Sequence, residues 1–271
     1  MSICTICGGD AVLMTMRVDV GLFRCRVCTH CFSDPRVARR ERYEPEYFER
    51  DHRRWFANPD TKFFEKVARL LPRDAAVIDV GCGRGDFLRH VRALRPDLKL
   101  TGIDLTPNQP ADGIQFLQGD FMKMSHAVTF DAVVSQQVIE HVEDVQAFVR
   151  VLQRFAKPRA TVVVSTINES SLLYALARIG KQIGLPLAFD RLYGRHHIQH
   201  FTTKSLRTLL EQHGFRVESQ RTHNAPLKAI DIPVDHFAAD AILRSGMWLV
   251  CRAGAATGKA YLQTVTSTSV G

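Results

Sequence analysis

The side chains of this chain that can do chemistry fall into three groups. The first surrounds a glycine loop, in the run VIDVGCGRGD at 77–86, and comprises Asp79, Gly81, Gly83, Gly85 and Asp86. Alternating glycines permit backbone angles that a Cβ forbids, and they let the main chain touch a ligand. The G-x-G-x-G spacing departs from the dinucleotide fingerprint, whose third small residue lies inside the helix. Asp86 would repel a pyrophosphate seated on the helix N-terminus, and no Lys-Ser/Thr pair makes a P-loop. The loop therefore suits a nucleotide-bearing cofactor with no phosphate near the glycines, and Asp79 suits a positive group on it.

The second group is four thiols, Cys4-x-x-Cys7 and Cys25-x-x-Cys28. Two residues between cysteines bring both thiolates onto one tetrahedral ion, so the set reads as a structural zinc site. Cys31 extends the second pair to Cys25-x-x-Cys28-x-x-Cys31, which leaves Cys28 and Cys31 as an alternative pair. With all four positions filled by thiolates, such a site has no opening for substrate. The third group is imidazoles: Glu140-His141, and His197-x-x-His200. Imidazole takes up a proton near neutral pH, so His141, His197 and His200 are candidate general bases, with Glu140 placed to orient or raise the pKa of one.

These groups need elements to hold them. The β-branched run before the loop reads as a buried strand, and 87–95 reads as a helix with Leu88, Val91 and Leu94 on one stripe. Further strands are expected at 99–105, 114–120, 130–139 and 160–166, and at 215–222 and 247–252. Helices are expected at 61–71, 145–155, 171–179 and 203–213, the last capped by Thr202 and ended by Gly214. Strands alternating with helices predict a doubly wound α/β sheet. Val12 to Phe23, between the cysteine pairs, predicts a short hairpin. Cys82 and Cys251 read as small core residues, Cys251 in the late strand.

With 271 residues and 45% apolar composition, the chain can bury one large core and a small accessory module. It has no apolar run of about 18 residues, so no membrane-spanning helix is expected. Its start lacks the layout of a signal peptide, which makes a cytoplasmic location, with seven reduced cysteines, the expectation. The formal charge is +8, with an arginine excess that includes Arg39, Arg40, Arg42, Arg50, Arg53 and Arg54. An anionic small-molecule substrate or a nucleic acid would suit that excess. The basic residues are not interleaved with an aromatic stacking platform, which weighs against single-stranded nucleic acid.

The loop resembles motif I of the class I S-adenosylmethionine-dependent methyltransferases, and the next elements extend the resemblance in order. It implies a seven-stranded Rossmann-like sheet with the last strand antiparallel. It further implies that Asp104, followed by Leu105, holds the ribose hydroxyls, that Asp120 meets the adenine amino group and Phe121 packs on the ring, and that Gln136, at the end of the fourth strand, also belongs to the cofactor site, toward the acceptor. In sugar C-methyltransferases of this architecture a Glu-His pair after the fourth strand, here Glu140-His141, carries the base. The segment His197-x-x-His200-Phe201-Thr202 and the helix after it resemble ubiquinone-type and sugar-type methyltransferases, in which this stretch lines the acceptor pocket. Cys25 to Pro35 is similar to the companion pattern C-x-x-C-G-L-V-F-x-x-P, with Thr29 in place of the glycine; this favours Cys25 and Cys28 over Cys31.

The implied organisation is a zinc-ribbon-like module at 1–35, a linker or cofactor cover at 36–60, and a catalytic domain at 61–252. A substrate lid is expected at 168–200 and a flexible tail at 253–271. The implied activity is methyl transfer to oxygen or carbon of a small acceptor. Ribosomal RNA guanine methyltransferases also pair a cysteine module with a class I domain and are the alternative. A noncatalytic zinc-bearing adaptor is a reading of another class, which the intact glycines and acids oppose.

Overall fold

The computed structural model describes residues 2–17, 20–34, 53–124, 128–194, 197–230 and 237–270. Of the expected cover at 36–60, residues 36–52 lie outside them, and with these the arginines at 39, 40, 42 and 50.

The N-terminal module consists of β1 (Ser2–Ile3), β2 (Asp10–Arg17), β3 (Val20–Cys25) and β4 (Cys31–Ser33), paired antiparallel in that order. Two short helices follow, α1 (Arg53–Ala57) and α2 (Thr61–Leu70). Asp60 caps α2 by accepting from the Phe63 amide.

The main sheet begins with β5 (Ala76–Val80), and the glycine loop leads from it into α3 (Asp86–Leu94). Leu88 and Val91 are buried as the stripe predicts, but Leu94 is 47% exposed because the helix ends as that face leaves the sheet. Next come β6 (Lys99–Asp104), β7 (Ile114–Gln118), β8 (Phe130–Gln136), α4 (Val145–Phe155) and β9 (Ala156–Ile167). Val145, Phe148, Val149, Leu152 and Phe155 of α4 are all buried. At about 2 kcal/mol per side chain, that one face supplies roughly 10 kcal/mol of gross burial. The segment after β9 holds α5 (Leu172–Gln182), α6 (Leu187–Leu192) and the two-residue β10 (Gln199–His200). α7 (Thr203–Gln212) opens on a capping box between Thr202 and Ser205 and leads to β11 (Phe215–His223).

Two expectations about the C-terminal part are overturned. Residues 247–252, expected as the seventh strand, lie within the helix α8 (Phe237–Ala256), and so does Cys251. The seventh strand is β12 (Leu262–Ser269), formed by residues expected to be a flexible tail. β12 inserts antiparallel between β9 and β11, completing the order β11-β12-β9-β8-β5-β6-β7. Its polar residues can be buried because neighbours satisfy them. Ser267 Oγ donates to the Val162 carbonyl, and Gln263 Nε2 donates to the carbonyls of Ile167 and Phe201.

β10 leaves the main sheet and pairs antiparallel with β4, with His200 opposite Cys31. One strand of the cysteine module's sheet is thus supplied by the segment expected to line the acceptor pocket. The Ser33 amide donates to the Ile198 carbonyl beside this pairing.

Candidate active site

The loop after β5 has the backbone that its glycines predict. Gly81, Gly83 and Gly85 lie at φ +75°, +53° and +77°, in the left-handed region where a side chain is strained. Their surroundings differ in an informative way. A Cβ at Gly81 would lie 2.4 Å from Val138 Cγ2, and one at Gly85 would lie 2.7 Å from the Phe116 ring. A Cβ at Gly83 would meet nothing within 4 Å, so the middle of the loop faces open space. Asp104, at the end of β6, spans that opening: its Oδ2 accepts from the Gly83 amide at 2.8 Å and its Oδ1 from the Thr106 amide at 2.8 Å. A carboxylate has about four acceptor positions, so two backbone donors leave room for ligand hydroxyls. Leu105 is exposed beside it. Asn108, which the sequence reading missed, donates from Nδ2 to the Gly83 carbonyl at 2.8 Å and braces the loop.

Asp79 is buried, and its Oδ1 has no hydrogen-bond partner among the described residues. Burial first, and the nearby Asp104 charge second, push its pKa up to about 8. An unpartnered buried carboxyl behind such a loop can accept a cationic group. Asp120, beyond β7, accepts from the Met122 amide and pairs with Lys123 Nζ at 3.3 Å. Phe121 turns its ring into the core, edge-on to Phe148 with centroids 5.6 Å apart. Phe121 is 9% exposed at the end of this segment.

A short 3-10 turn, Ile139–His141, follows β8 at the same end of the sheet as the loop. Val138, which fills the space above Gly81, joins this turn to the loop. Gln136 ends β8, half-buried, and Gln137 takes a left-handed φ of +54° that turns the chain at the sheet edge. The Gln137 amide donates to the Ser165 carbonyl at 2.8 Å. Glu140 is 1% exposed, and its Oε2 accepts from Thr166 Oγ1 at 2.7 Å. Burial raises its pKa to about 7, with the Thr166 hydrogen bond opposing. The structure brings Glu140, His141 and His197 together: one donor atom of each lies within 4.8 Å of the others. The His141 and His197 rings are 4.9 Å apart. His200 does not join them on the open side. It is fully buried, with Nδ1 3.3 Å from Tyr174 Oη and its ring 4.6 Å from that of Tyr193.

The four expected thiols form one cluster, all Sγ atoms within 4.8 Å of one another. Cys4–Cys28 and Cys7–Cys25 are each 3.5 Å apart. A tetrahedral zinc with bonds of about 2.3 Å needs sulfur separations of about 3.8 Å, so the set fits that ion. Amides of Ile6, Val27 and Cys28 point at Sγ of Cys4 or Cys25, as thiolate ligands require. The Cys28 thiol hydrogen bond lowers the pKa of Cys4 to about 5, while the same contact raises that of Cys28. Cys31 stands apart, buried in β4 against Met14.

The module is tied to the acceptor side at several points. Gln146 of α4 donates to the carbonyls of Thr5 and Ile6, and Lys204 Nζ donates to that of Val27. Gln199 Oε1 accepts from His30 Nε2 at 2.8 Å, and its Nε2 donates to the carbonyls of Val142 and Glu143. A buried ionic clamp completes the joint: Glu169, 1% exposed, pairs with Arg24 of β3 and with Arg178 of α5, and accepts from Tyr193 Oη at 2.6 Å. The sequence reading missed this clamp, whose members are too far apart in the chain to form a motif. Its sole local signal is an acid just past the end of a buried strand.

An α/β sheet in this order, with an antiparallel strand inserted next to the edge, a glycine loop after the first strand and acids at the ends of the next two, defines a class I S-adenosylmethionine-dependent methyltransferase fold. The chain belongs to the methyltransferase domain family, which it matches over residues 47–220. It is 32% identical over 146 residues to the ubiquinone biosynthesis O-methyltransferase of Xanthomonas axonopodis pv. citri, covering 49% of this chain and 59% of the relative. It is 30% identical over 126 residues to the enzyme of that name from Rickettsia conorii, covering 43% of each. The chain thus spans less than two thirds of the length of the curated relatives it matches. Among solved structures, a chain of the Haloferax volcanii complex between the Trm112 methyltransferase activator and a methyltransferase aligns with TM-score 0.60 at 18% identity, covering 85% of this chain and 99% of that one. The 1,6-didemethyltoxoflavin-N1-methyltransferase of Burkholderia thailandensis aligns with TM-score 0.54 at 11% identity, covering 97% and 100%. At such identities these two likenesses concern the fold. Among the described residues no helix is long and apolar enough to cross a membrane.

Proposed function

We propose that this protein transfers the methyl group of S-adenosylmethionine to a small-molecule acceptor, at a hydroxyl oxygen or an acidic carbon. The observation that carries this reading is the direct packing of the acceptor-side turn on the cofactor loop, Val138 against Gly81, two residues before Glu140. The cofactor supplies an activated methyl on a positive sulfur. The residues of this chain have the remaining tasks. Gly83 and its neighbours offer main chain to the cofactor, Asp104 accepts from its ribose, Asp79 receives its amino group, and Asp120 faces its base. Leu105, Phe121 and Gln136 complete the surround. The side chains of Glu140, His141 and His197 face the acceptor, while His200 holds the lid from behind through Tyr174. Near-attack positioning of the acceptor contributes most of the rate in such a reaction.

The four-thiol cluster holds a structural zinc that keeps the module folded against β10, and reduced thiols accord with a cytoplasmic location. An anionic acceptor accords with the +8 charge. A small acceptor is favoured over RNA because β10 pairs with β4 of the cysteine module and His200 is fully buried there, which narrows this side of the site. The test is calorimetry of cofactor binding to Asp104→Ala, with unfolding temperature as the control for fold. Binding falls below detection if the reading holds; retained affinity refutes it. Transfer of labelled methyl to candidate acceptors then identifies the acceptor.

A further inference from the structure

The carboxylate of Glu140 is as buried as a leucine core residue, yet among the described residues no arginine or lysine pairs with it. Burying an ionised carboxylate without a counter-charge costs several kcal/mol. The groups that do face it are two imidazoles, His141 and His197, with donor atoms of all three within 4.8 Å of one another. Resting on the methyltransferase reading above, we infer that Glu140, His141 and His197 hold a divalent transition-metal ion on the acceptor side of the site, separate from the cysteine cluster.

Three features support the assignment. Two imidazoles and one carboxylate form a donor set characteristic of zinc, iron(II), cobalt(II) and similar ions, and three protein donors leave positions open for another ligand. Metal–donor bonds of about 2.1 Å place donors about 3.4 Å apart in a tetrahedron and about 4.2 Å apart across an octahedron, which small side-chain rotations achieve from the observed spacing. The surroundings are also those of a supported site. Thr166 Oγ1 fixes one carboxylate oxygen and leaves the other for the ion. The Glu140 carbonyl accepts from the Ile198 amide at 2.9 Å, which locks the His197 segment to the Glu140 turn. The pairing of β10 with β4 holds that segment from the other side.

An ion there gives the acceptor's proton a different route. An acceptor hydroxyl bound at an open position has its pKa lowered, as water does on such ions. Its O–H bond breaks, the proton passes to solvent, and the oxygen lone pair forms the new bond to the methyl carbon. The C–S bond pair stays on the sulfur. His141 and His197 are then ligands rather than bases.

The experiment is cobalt(II) loading of the metal-stripped full chain, followed by elemental analysis and absorption spectroscopy. Thiolate-bound cobalt shows intense sulfur charge-transfer bands, whereas a site of nitrogen and oxygen donors shows weak ligand-field bands alone. The wild type takes up two equivalents. His141→Gln and His197→Gln each take up one and keep the thiolate bands, which also reports that the module is folded. Uptake of a single equivalent by the wild type, or of two by both variants, overturns the inference. Lowered turnover in these variants with one equivalent in the wild type would make the pair bases and equally overturn it. Cofactor affinity, measured on the same samples, reports on the methyltransferase reading independently of the metal count.

Discussion

With Asp79 in the proposed role of receiving the cofactor's amino group, cofactor binding depends on pH by an amount that follows from its surroundings. In the free protein its carboxyl titrates near pH 8, held neutral by burial and by the Asp104 charge. A cationic amino group seated against it stabilises the ionised form, so binding at pH 7 releases about 0.9 of a proton. Affinity is proportional to the ionised fraction, which is about 1% at pH 6 and about 24% at pH 7.5 for a pKa near 8. The expected gain is therefore about 25-fold, or about 1.9 kcal/mol. Above about pH 8 the amino group itself loses its proton, and the rise ends. The sign for stability is opposite. The folded pKa is raised above the ordinary value, so the neutral carboxyl's contribution is complete below about pH 4 and is lost as pH rises to about 8. The free protein thus loses stability from Asp79 across this window, and thermal protection by the cofactor grows. Calorimetry in two buffers of different ionisation enthalpy reads both the proton release and the affinity. Asp79→Asn, nearly isosteric and always neutral, should bind more weakly at pH 7.5 with its slope removed. A flat wild-type profile, or an undiminished slope in Asp79→Asn, refutes the reasoning.

Other outcomes follow from the same geometry. Gly81→Ala should lower stability by more than about 3 kcal/mol, because strain at φ +75° adds to overlap with Val138. Gly83→Ala should cost only about 1–2 kcal/mol in unfolding while losing most cofactor affinity, because its Cβ enters the open space. Unfolding curves set beside calorimetry separate the two. Removing metal from the thiol cluster with a chelator should raise amide exchange not only in β2–β4 but also at 197–202; unchanged exchange there would show that the module does not support the lid. Glu169→Gln should lower stability by about 2 kcal/mol, or roughly 4–8 °C in unfolding temperature, since Arg24 and Arg178 lose a buried partner.

Much of this was readable from residue order alone. The strands around the loop are continuous β-branched runs, and Val77, Ile78, Val162 and Val163 are buried because helices cover both faces. The four thiols stand at a spacing that one tetrahedral ion demands, and the acids after β6 and β7 are picked out through the family resemblance. The C-terminal part misled for a physical reason. Met247 to Cys251 is a short apolar run, which periodicity cannot assign to a strand or a helix. Leu262 to Ser269 is rich in Ser and Thr and looks like solvent-facing chain, yet its hydroxyls donate to Ser165 and Val162 of β9 and it lies inside the sheet, between β9 and β11. The meeting of Glu140, His141 and His197, and the clamp on Glu169, depend on tertiary proximity that no local pattern encodes.

The position of β12 sets an order of events. It follows β9 and β11 in the chain but lies between them, hydrogen-bonded to both. During synthesis β11 has no sheet to join until β12 has emerged, so a nascent chain carries an unpaired β9 edge and a detached β11. Such edges recruit other chains. Closure of the sheet is thus a long-range step that must wait for the last strand to emerge. A fusion or truncation that delays β12 would increase aggregation during expression while leaving the cofactor loop intact.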